Sequence, residues 1–369
     1  MRGLLRFARP LRVAARRSRI ITCPPLLERT EQIILEPSRG WHGRFNGRDE
    51  EQSGPAYSYE AMKAGRQERL VARRRTRDPA WTTVRSAELQ VLRATALDRL
   101  PWLVHGFSTR LGGVSRPEGQ PGGALNLGLT VWDTRENVLT NRAKLLTALD
   151  AETMKLVTLR QIHSDVVHVL DALPRQSPRG DAAVMRAPGL LLGVQTADCV
   201  PILLVDTEHR AVAAVHAGWR GTLRRVVAKT LGRMQMALST RPENVVAAMG
   251  PAIGVCCYEV GPEVAQAYAA QFAQAREWFE GPFQTLASEE EPNPLKWLSM
   301  APPGHSPPPP RVQLDLRAAN RWQLLDAGVR APNIIVSELC TACRTDLLFS
   351  YRKEKALTGR LMGVIGMRV

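Results

Sequence analysis

Long apolar runs are missing from this chain. Its 369 residues contain no stretch of eighteen or more hydrophobic residues, so they offer no transmembrane helix. Also missing are a Gly-x-Gly-x-x-Gly sequence, a Walker sequence and any repeat period. These absences remove the common nucleotide-binding signatures and the solenoid architectures. Acidic residues are absent from Met1 to Leu27, which carries seven arginines. That is the composition of a mitochondrial presequence, without the continuous apolar core of a secretory signal. Six cysteines without a secretory signal fit a reducing compartment. The localisation expected is cytoplasmic, with organelle targeting through the N-terminal arm as the alternative.

What is present is basic and unevenly spread. The formal net charge is +15, and residues 1–89 hold 19 Lys/Arg against 10 Asp/Glu. The remaining chain holds 31 and 25, so the excess is concentrated in the arm. Residues 1–89 lack sustained periodicity and read as a disordered, solvated extension, with Met62 as an alternative start. The run Arg73-Arg74-Arg75 could touch nucleic acid or an anionic surface. Residues 90–369 read as the folded domain, and the 44% hydrophobic fraction is ordinary for a globular chain. Within it, residues 282–311 carry Glu289-Glu290-Glu291 and Pro307-Pro308-Pro309-Pro310, the composition of a surface insertion with polyproline character.

Periodicity predicts mixed α and β structure without a strict βαβ rhythm. Strands are expected at 102–107, 157–159, 166–170, 190–194, 202–205, 211–215, 245–249, 334–337 and 361–365. Asp206 to Arg210 is a hairpin loop between two of them. Helices are expected at 134–149, capped by Thr134 with an apolar stripe of Val138, Leu139, Leu145, Leu146 and Leu149, and at 222–238, 263–278 and 314–325. The Gly221-Thr222 start of the second helix would bring a helix N-terminus, a ready anion site, close to His216.

The most informative stretches are Gly193 to Pro201 and Ala214 to Gly221. Cys199 and His216 sit at strand boundaries, where a rigid sheet holds functional side chains, and His163 lies upstream in Gln161-Ile162-His163-Ser164-Asp165. Two histidines and a cysteine make a three-ligand zinc set with one position open. Taken singly, His163 reads as a capping histidine, Cys199 as a small buried hydrophobe and His216 as packed on Trp219. Asp198 reads either as a carboxylate that orients a ligand or carries a proton, or as a turn residue. Arg110 and Arg220 are candidates to hold an anionic substrate bidentately, or structural ion-pair partners. Asn126 is a candidate for a ribose or base contact, or a turn residue, and Arg352 is a candidate of the same kind. Cys340-x-x-Cys343 and the adjacent Cys256-Cys257 read as reduced structural cysteines, because Cys256 and Cys257 do not easily share one tetrahedral ion with the other pair.

Together these segments resemble the YfiH family, also called the laccase-domain, polyphenol oxidoreductase or peptidoglycan editing factor family. Gln-Ile-His-Ser-Asp at 161–165, Thr-Ala-Asp-Cys-Val-Pro at 196–201 and His-Ala-Gly-Trp-Arg-Gly at 216–221 are similar to its central motifs. The segments His105–Arg110, Gly112–Ser115, Leu125–Gly128, Gly250–Gly254, Cys257–Val260, Cys340-Thr341, Phe349–Arg352 and Thr358–Arg360 follow in the family's order. The resemblance runs from about residue 100 to the C-terminus and leaves the arm uncovered.

It implies an α+β fold: one layered α/β/β/α domain with mixed sheets. It implies that His163, Cys199 and His216 bind zinc, with copper as the alternative. It implies a purine nucleoside phosphorylase acting on adenosine, inosine or methylthioadenosine with phosphate, releasing the base and ribose 1-phosphate or its methylthio form. It also implies adenosine deaminase activity. In this reading Arg110 and Arg220 serve catalysis, Arg110 as phosphate clamp, and Asp198 carries a proton. Three rivals stay open: a cysteine hydrolase acting on peptidoglycan precursors through Cys199, a copper-dependent polyphenol oxidase, and a nucleic-acid-binding protein that uses its basic arm beside a structural zinc.

Overall fold

Short Val-, Leu- and Ala-rich runs separated by polar turns assemble into two six-stranded sheets, so most strands are buried on both faces. In the computed structural model residues 80–86, 88–117, 123–281 and 311–369 are described. The arm up to residue 79 and residues 282–310 of the insertion expected at 282–311 lie outside them. The strands are β1 (Trp81–Ser86), β2 (Leu89–Ala94), β3 (Leu103–Ser108), β4 (Leu111–Ser115), β5 (Lys155–Thr158), β6 (Val167–Leu170), β7 (Ala182–Met185), β8 (Leu190–Thr196), β9 (Val200–Asp206), β10 (Ala211–Ala217), β11 (Val245–Met249), β12 (Glu259–Val260), β13 (Phe279–Glu280), β14 (Val312–Leu314), β15 (Ile334–Val336) and β16 (Leu361–Met367). The helices are α1 (Thr95–Asp98), α2 (Arg135–Ala148), α3 (Trp219–Leu223), α4 (Val226–Leu238), α5 (Pro262–Gln271), α6 (Leu316–Asp326) and α7 (Tyr351–Glu354).

The first sheet has the order β1-β2-β3-β16-β8-β5 and the second β15-β11-β9-β10-β7-β6; a small third sheet is β12-β14-β13. Side-chain alternation sorts the layers. Leu203 and Val205 of β9 join Val212 and Ala214 of β10 and Leu192 and Ile365 of the first sheet in one core between the sheets. Ile202, Leu204, Ala213 and Val215 point the other way, onto Val227 and Leu231 of α4, Tyr268 of α5 and Leu324 of α6. On the far side of the first sheet, Val104, Leu191 and Val364 pack against Leu145 of α2 and the neighbouring Leu149. The result is the expected four-layer α/β/β/α arrangement.

Several elements differ from the sequence expectation. β1 pairs along its whole length with β2, so ordered structure starts within the stretch assigned to the arm, upstream of residue 90. The helix expected over 222–238 starts earlier, at Trp219, and breaks at Arg225, which is left-handed (φ 61°). The break has a cause: α6 holds the end of α3, because Gln323 donates to the Thr222 carbonyl (2.7 Å) and Asn320 to its hydroxyl (2.9 Å). The Arg225 guanidinium then stacks over Phe272, 4.7 Å from the ring centroid. The helix expected to reach Trp278 ends at Gln271 and resumes as a 3-10 turn at Ala275–Trp278. Thr134 does cap α2, accepting from the Asn137 amide (3.2 Å), but Leu139 faces solvent. The strands flanking the Pro-rich insertion, β13 and β14, pair with each other.

Pairing in the second sheet brings remote residues to one end. β9 and β10 are antiparallel with Pro201 opposite His216, so the residues before β9 lie beside the end of β10. β7 is antiparallel to β10 and β6 parallel to β7, which adds the residues before both of those strands. β11 ends there too, opposite Ile202, and its parallel neighbour β15 ends beside it.

Candidate active site at one end of the second sheet

Asp181, the residue before β7, is fully buried. Its carboxylate accepts from the amides of Ile162 (3.3 Å), His163 (3.0 Å) and Ser164 (2.6 Å), from the Ser164 hydroxyl (2.6 Å) and from His216 Nδ1 (2.8 Å). Its carbonyl accepts from the His216 amide (2.7 Å). Burial pushes the carboxyl up, but the His216 and Ser164 hydrogen bonds outweigh it and hold it at about 2. A carboxylate on Nδ1 fixes the tautomer and leaves Nε2 of His216 as the ligating nitrogen. The same carboxylate holds the left-handed turn at His163 (φ 56°).

These constraints bring His163, Cys199 and His216 together: one ligating atom from each lies within 4.8 Å of the others. The two imidazoles meet edge to face, 4.9 Å between centroids. Burial pushes the Cys199 thiol up, but the His216 charge and a hydrogen bond from His163 outweigh it and hold the thiol at about 6. Burial pushes His216 down, and the Cys199 and Asp181 charges outweigh it and raise it to about 9. Gly218 leaves room for the cluster, since a Cβ there would stand 3.0 Å from Cys199 Sγ and 3.2 Å from His163 Cδ2. Two imidazoles and a low-lying thiolate form a donor set that could hold a metal ion.

Asp198 adjoins the cluster in a strained backbone conformation (φ 97°). Its oxygens accept from Thr341 Oγ1 (2.6 Å), Ser350 Oγ (2.7 Å) and the Arg352 amide (2.6 Å), and its carbonyl from the Ile253 amide (2.9 Å). The geometry is that of a tie between three loops.

The cluster opens into a cleft of about 1010 Å³. Among the described residues Arg135, Arg142, Arg160, Arg352, Lys355 and Arg360 line it, with Asp198 as the one carboxylate. Among the described residues none of the six cations forms an ion pair with a carboxylate. Arg142 donates Nε to the Leu127 carbonyl (3.0 Å), and Arg352 donates to the Glu259 carbonyl (2.8 Å). Leu129, Leu139 and Tyr351, each at least half exposed, add apolar surface to the same cleft.

Three expected site residues face elsewhere. Arg110, expected as phosphate clamp, is buried away from the cleft. It pairs with Glu354 (2.8 Å), donates to the Thr345 carbonyl (2.6 Å) and stacks on Phe349 (4.5 Å). Asn126, expected to contact substrate, is fully buried and organises a turn through Gly128, Thr130 and Asp133, accepting also from the Arg360 amide (2.9 Å). Arg220 is exposed and stacks on Trp219 (4.3 Å), outside the cleft. Arg352 does line it. Asp181, Arg142, Arg160 and Arg360 were not singled out from the sequence. The one signal for Asp181 is a lone carboxylate between Gly180 and a short apolar run.

Comparisons with known proteins agree with the fold. Residues 104–368 match the family model described as multi-copper polyphenol oxidoreductase laccase. The chain is 34% identical over 274 residues to a protein of Geobacillus stearothermophilus named purine nucleoside phosphorylase YlmD, covering 72% of this chain and 90% of that one. It is 36% identical over 266 residues to adenosine deaminase RL5 of an unknown prokaryotic organism, covering 70% and 91%. The crystal structure of the hypothetical protein YfiH of Bacillus licheniformis superposes with a TM-score of 0.64 at 27% identity, over 79% of this chain and all of that one. The chain belongs to this laccase-like YfiH family. Its relatives' names support an enzyme of nucleoside metabolism.

The burial of Arg110 makes a prediction. Arg110→Met strands Glu354 without its cation and should cost roughly 3 kcal/mol in denaturant unfolding, the scale of a broken buried ion pair. Metal content should stay unchanged, as expected for a residue outside the site. Unchanged stability would contradict the buried ion pair and restore a site role for Arg110.

Proposed function

We propose that the chain is a zinc-dependent purine nucleoside phosphorylase, cleaving adenosine, inosine or methylthioadenosine with phosphate, and that the same site deaminates adenosine. One observation carries the reading: six cations without carboxylate partners among the described residues line a cleft whose floor is a His/Cys/His cluster. A cleft so lined raises the local concentration of an anion and holds it. Arg142 and Arg160, two of these cations, supply phosphate contacts. Leu129, Leu139 and Tyr351 offer the apolar surface that a purine ring covers. Asp198 positions Thr341, Ser350 and Arg352 rather than carrying a proton.

His163, Cys199 and His216 hold the zinc. When bound, the ion supplies Lewis acidity and lowers the pKa of a coordinated water, the requirement of deamination. Zinc fits better than the copper of the family's description, since one Cys/His₂ set does not build a multi-copper cluster. A Cys199 thiolate beside a His216 imidazolium is also the pair that a cysteine hydrolase uses, and metal content separates that reading from the zinc one.

The full chain should release base from adenosine or inosine only when phosphate is present, with ribose 1-phosphate formed in equal amount by chromatography. Cys199→Ala should lose at least ~100-fold in rate, on the scale of a broken catalytic metal site. Arg160→Gln should raise the phosphate KM about tenfold, the loss of one charge-assisted hydrogen bond, with the nucleoside KM nearly unchanged. Base release independent of phosphate, or undiminished in Cys199→Ala, would sink the proposal.

The shifted thiol and imidazole fix the sign of a pH dependence. A metal needs Cys199 as thiolate and His216 neutral. Above pH about 6 the thiolate is present, whereas His216 keeps its proton until about 9. Zinc binding therefore expels one proton, and affinity should rise about tenfold per pH unit between roughly 7 and 9, then level off. Competition against a chromophoric chelator measures this. A flat profile would contradict the imidazolium–thiolate pair.

A further inference from the structure

A second group of potential ligands lies outside the His/Cys/His cluster. The sulfurs of Cys256, Cys257, Cys340 and Cys343 all lie within 4.8 Å of one another, although the sequence separates the two pairs by more than eighty residues. We propose that these four cysteines bind a single tetrahedral zinc ion that clamps together two loops beside the active-site cleft.

The convergence follows from the sheet. β11 and β15 are parallel neighbours, with Met249 opposite Val336, so their following loops leave the same end. Pairing continues beyond the strands: the Ser337 amide donates to Met249 (2.9 Å), and Thr341 to Ala252 (3.1 Å). Ala252 and Cys340 form a parallel bridge. Each loop then turns tightly. The Cys257 and Tyr258 amides donate to the Gly254 carbonyl (3.0 and 3.1 Å), and the Arg344 amide to the Cys340 carbonyl (3.0 Å). Those turns aim two thiols from each loop at a common point. Adjacency of Cys256 and Cys257 in the sequence counts against a shared ion; the turn at Gly254 overcomes it.

The spacing fits one ion. With metal–sulfur bonds near 2.3 Å, a tetrahedral site sets its sulfurs about 3.8 Å apart. Cys343 Sγ lies 3.5 Å from Cys256 Sγ and 3.4 Å from Cys257 Sγ, so modest outward shifts make room. A cluster of several irons would spread its thiolates wider than these sulfurs lie. A disulfide is a poorer account, because Cys343 is equally near two partners and can join only one. The Gly254 N–H donates to Cys340 Sγ (3.2 Å). An amide donor favours the net negative charge of a zinc tetrathiolate. Cys340 is buried, and Ile253, Ala342 and Tyr258 pack around the thiols.

The site has consequences for the cleft. Thr341, next to Cys340, donates to Asp198, and Tyr258, next to Cys257, lines the cleft. Holding the two loops fixes both. The clamp does not depend on the phosphorylase reading.

The test is metal stoichiometry on the full chain, purified from zinc-supplemented culture and desalted, by plasma mass spectrometry. The Cys340→Ser/Cys343→Ser variant should hold one equivalent of zinc less than the wild type. Cys199→Ala should retain that equivalent, whatever becomes of the other cluster. Cys256 is exposed, so Cys256→Ser tests the site with little risk to folding; its zinc should be released by a chelator at least tenfold faster than in the wild type. If the double variant fails to fold, cobalt(II) replaces it: cobalt-loaded Cys199→Ala should keep strong thiolate-to-cobalt absorption. Equal zinc in a folded double variant and the wild type, or loss of all thiolate–cobalt absorption in Cys199→Ala, would overturn the proposal.

Discussion

The site depends on one buried carboxylate. Asp181 receives five hydrogen bonds from residues 162–164 and from His216, at a position that the pairing of β7 with β10 sets opposite His216. Without those donors a buried charge of this kind would be costly; with them it becomes a rigid hub. It fixes the backbone turn that presents His163 and the ring orientation that presents His216. Cys199 then meets both imidazoles because β9 runs back beside β10. Two loops and two strand ends are thus coupled through a single side chain.

Around this hub, charge is distributed with a clear asymmetry. Arg110 is satisfied internally by Glu354 and three carbonyl or ring contacts. By contrast, Arg142, Arg352 and Arg360 in the cleft lean on carbonyl oxygens, which orient a guanidinium without neutralising it. Cations kept in place but not paired are suited to an anionic ligand. Burial also lowers the pKa of Arg142 and Arg360.

Much of this was legible in the sequence, for identifiable reasons. The β-rich runs at 190–194, 202–205 and 211–215 announced their strands, and Thr134 announced a helix start. His163, Cys199 and His216 stood out because chemistry-bearing residues flanked those runs. Asp181 did not, since its role arises from partners that only sheet pairing brings to it. Arg110, Arg220 and Asn126 were misplaced because membership of a motif does not say which way a side chain points: the first turns into an ion pair, the second onto an indole, the third into a turn. The convergence of Cys256 and Cys257 with Cys340 and Cys343 was likewise hidden, because it follows from the parallel pairing of β11 with β15.

The central claim is that Asp181 organises the ligand set, and zinc affinity in Asp181→Asn tests it most directly. The amide presents N–H groups to donors that need an acceptor and removes the charge that orients His216. Affinity by chelator competition should fall about 10- to 100-fold, as when a metal-bound histidine loses its carboxylate partner, while circular dichroism retains the folded signal. An unchanged affinity would mean that His163, Cys199 and His216 are positioned without Asp181, and the account would fail at its base.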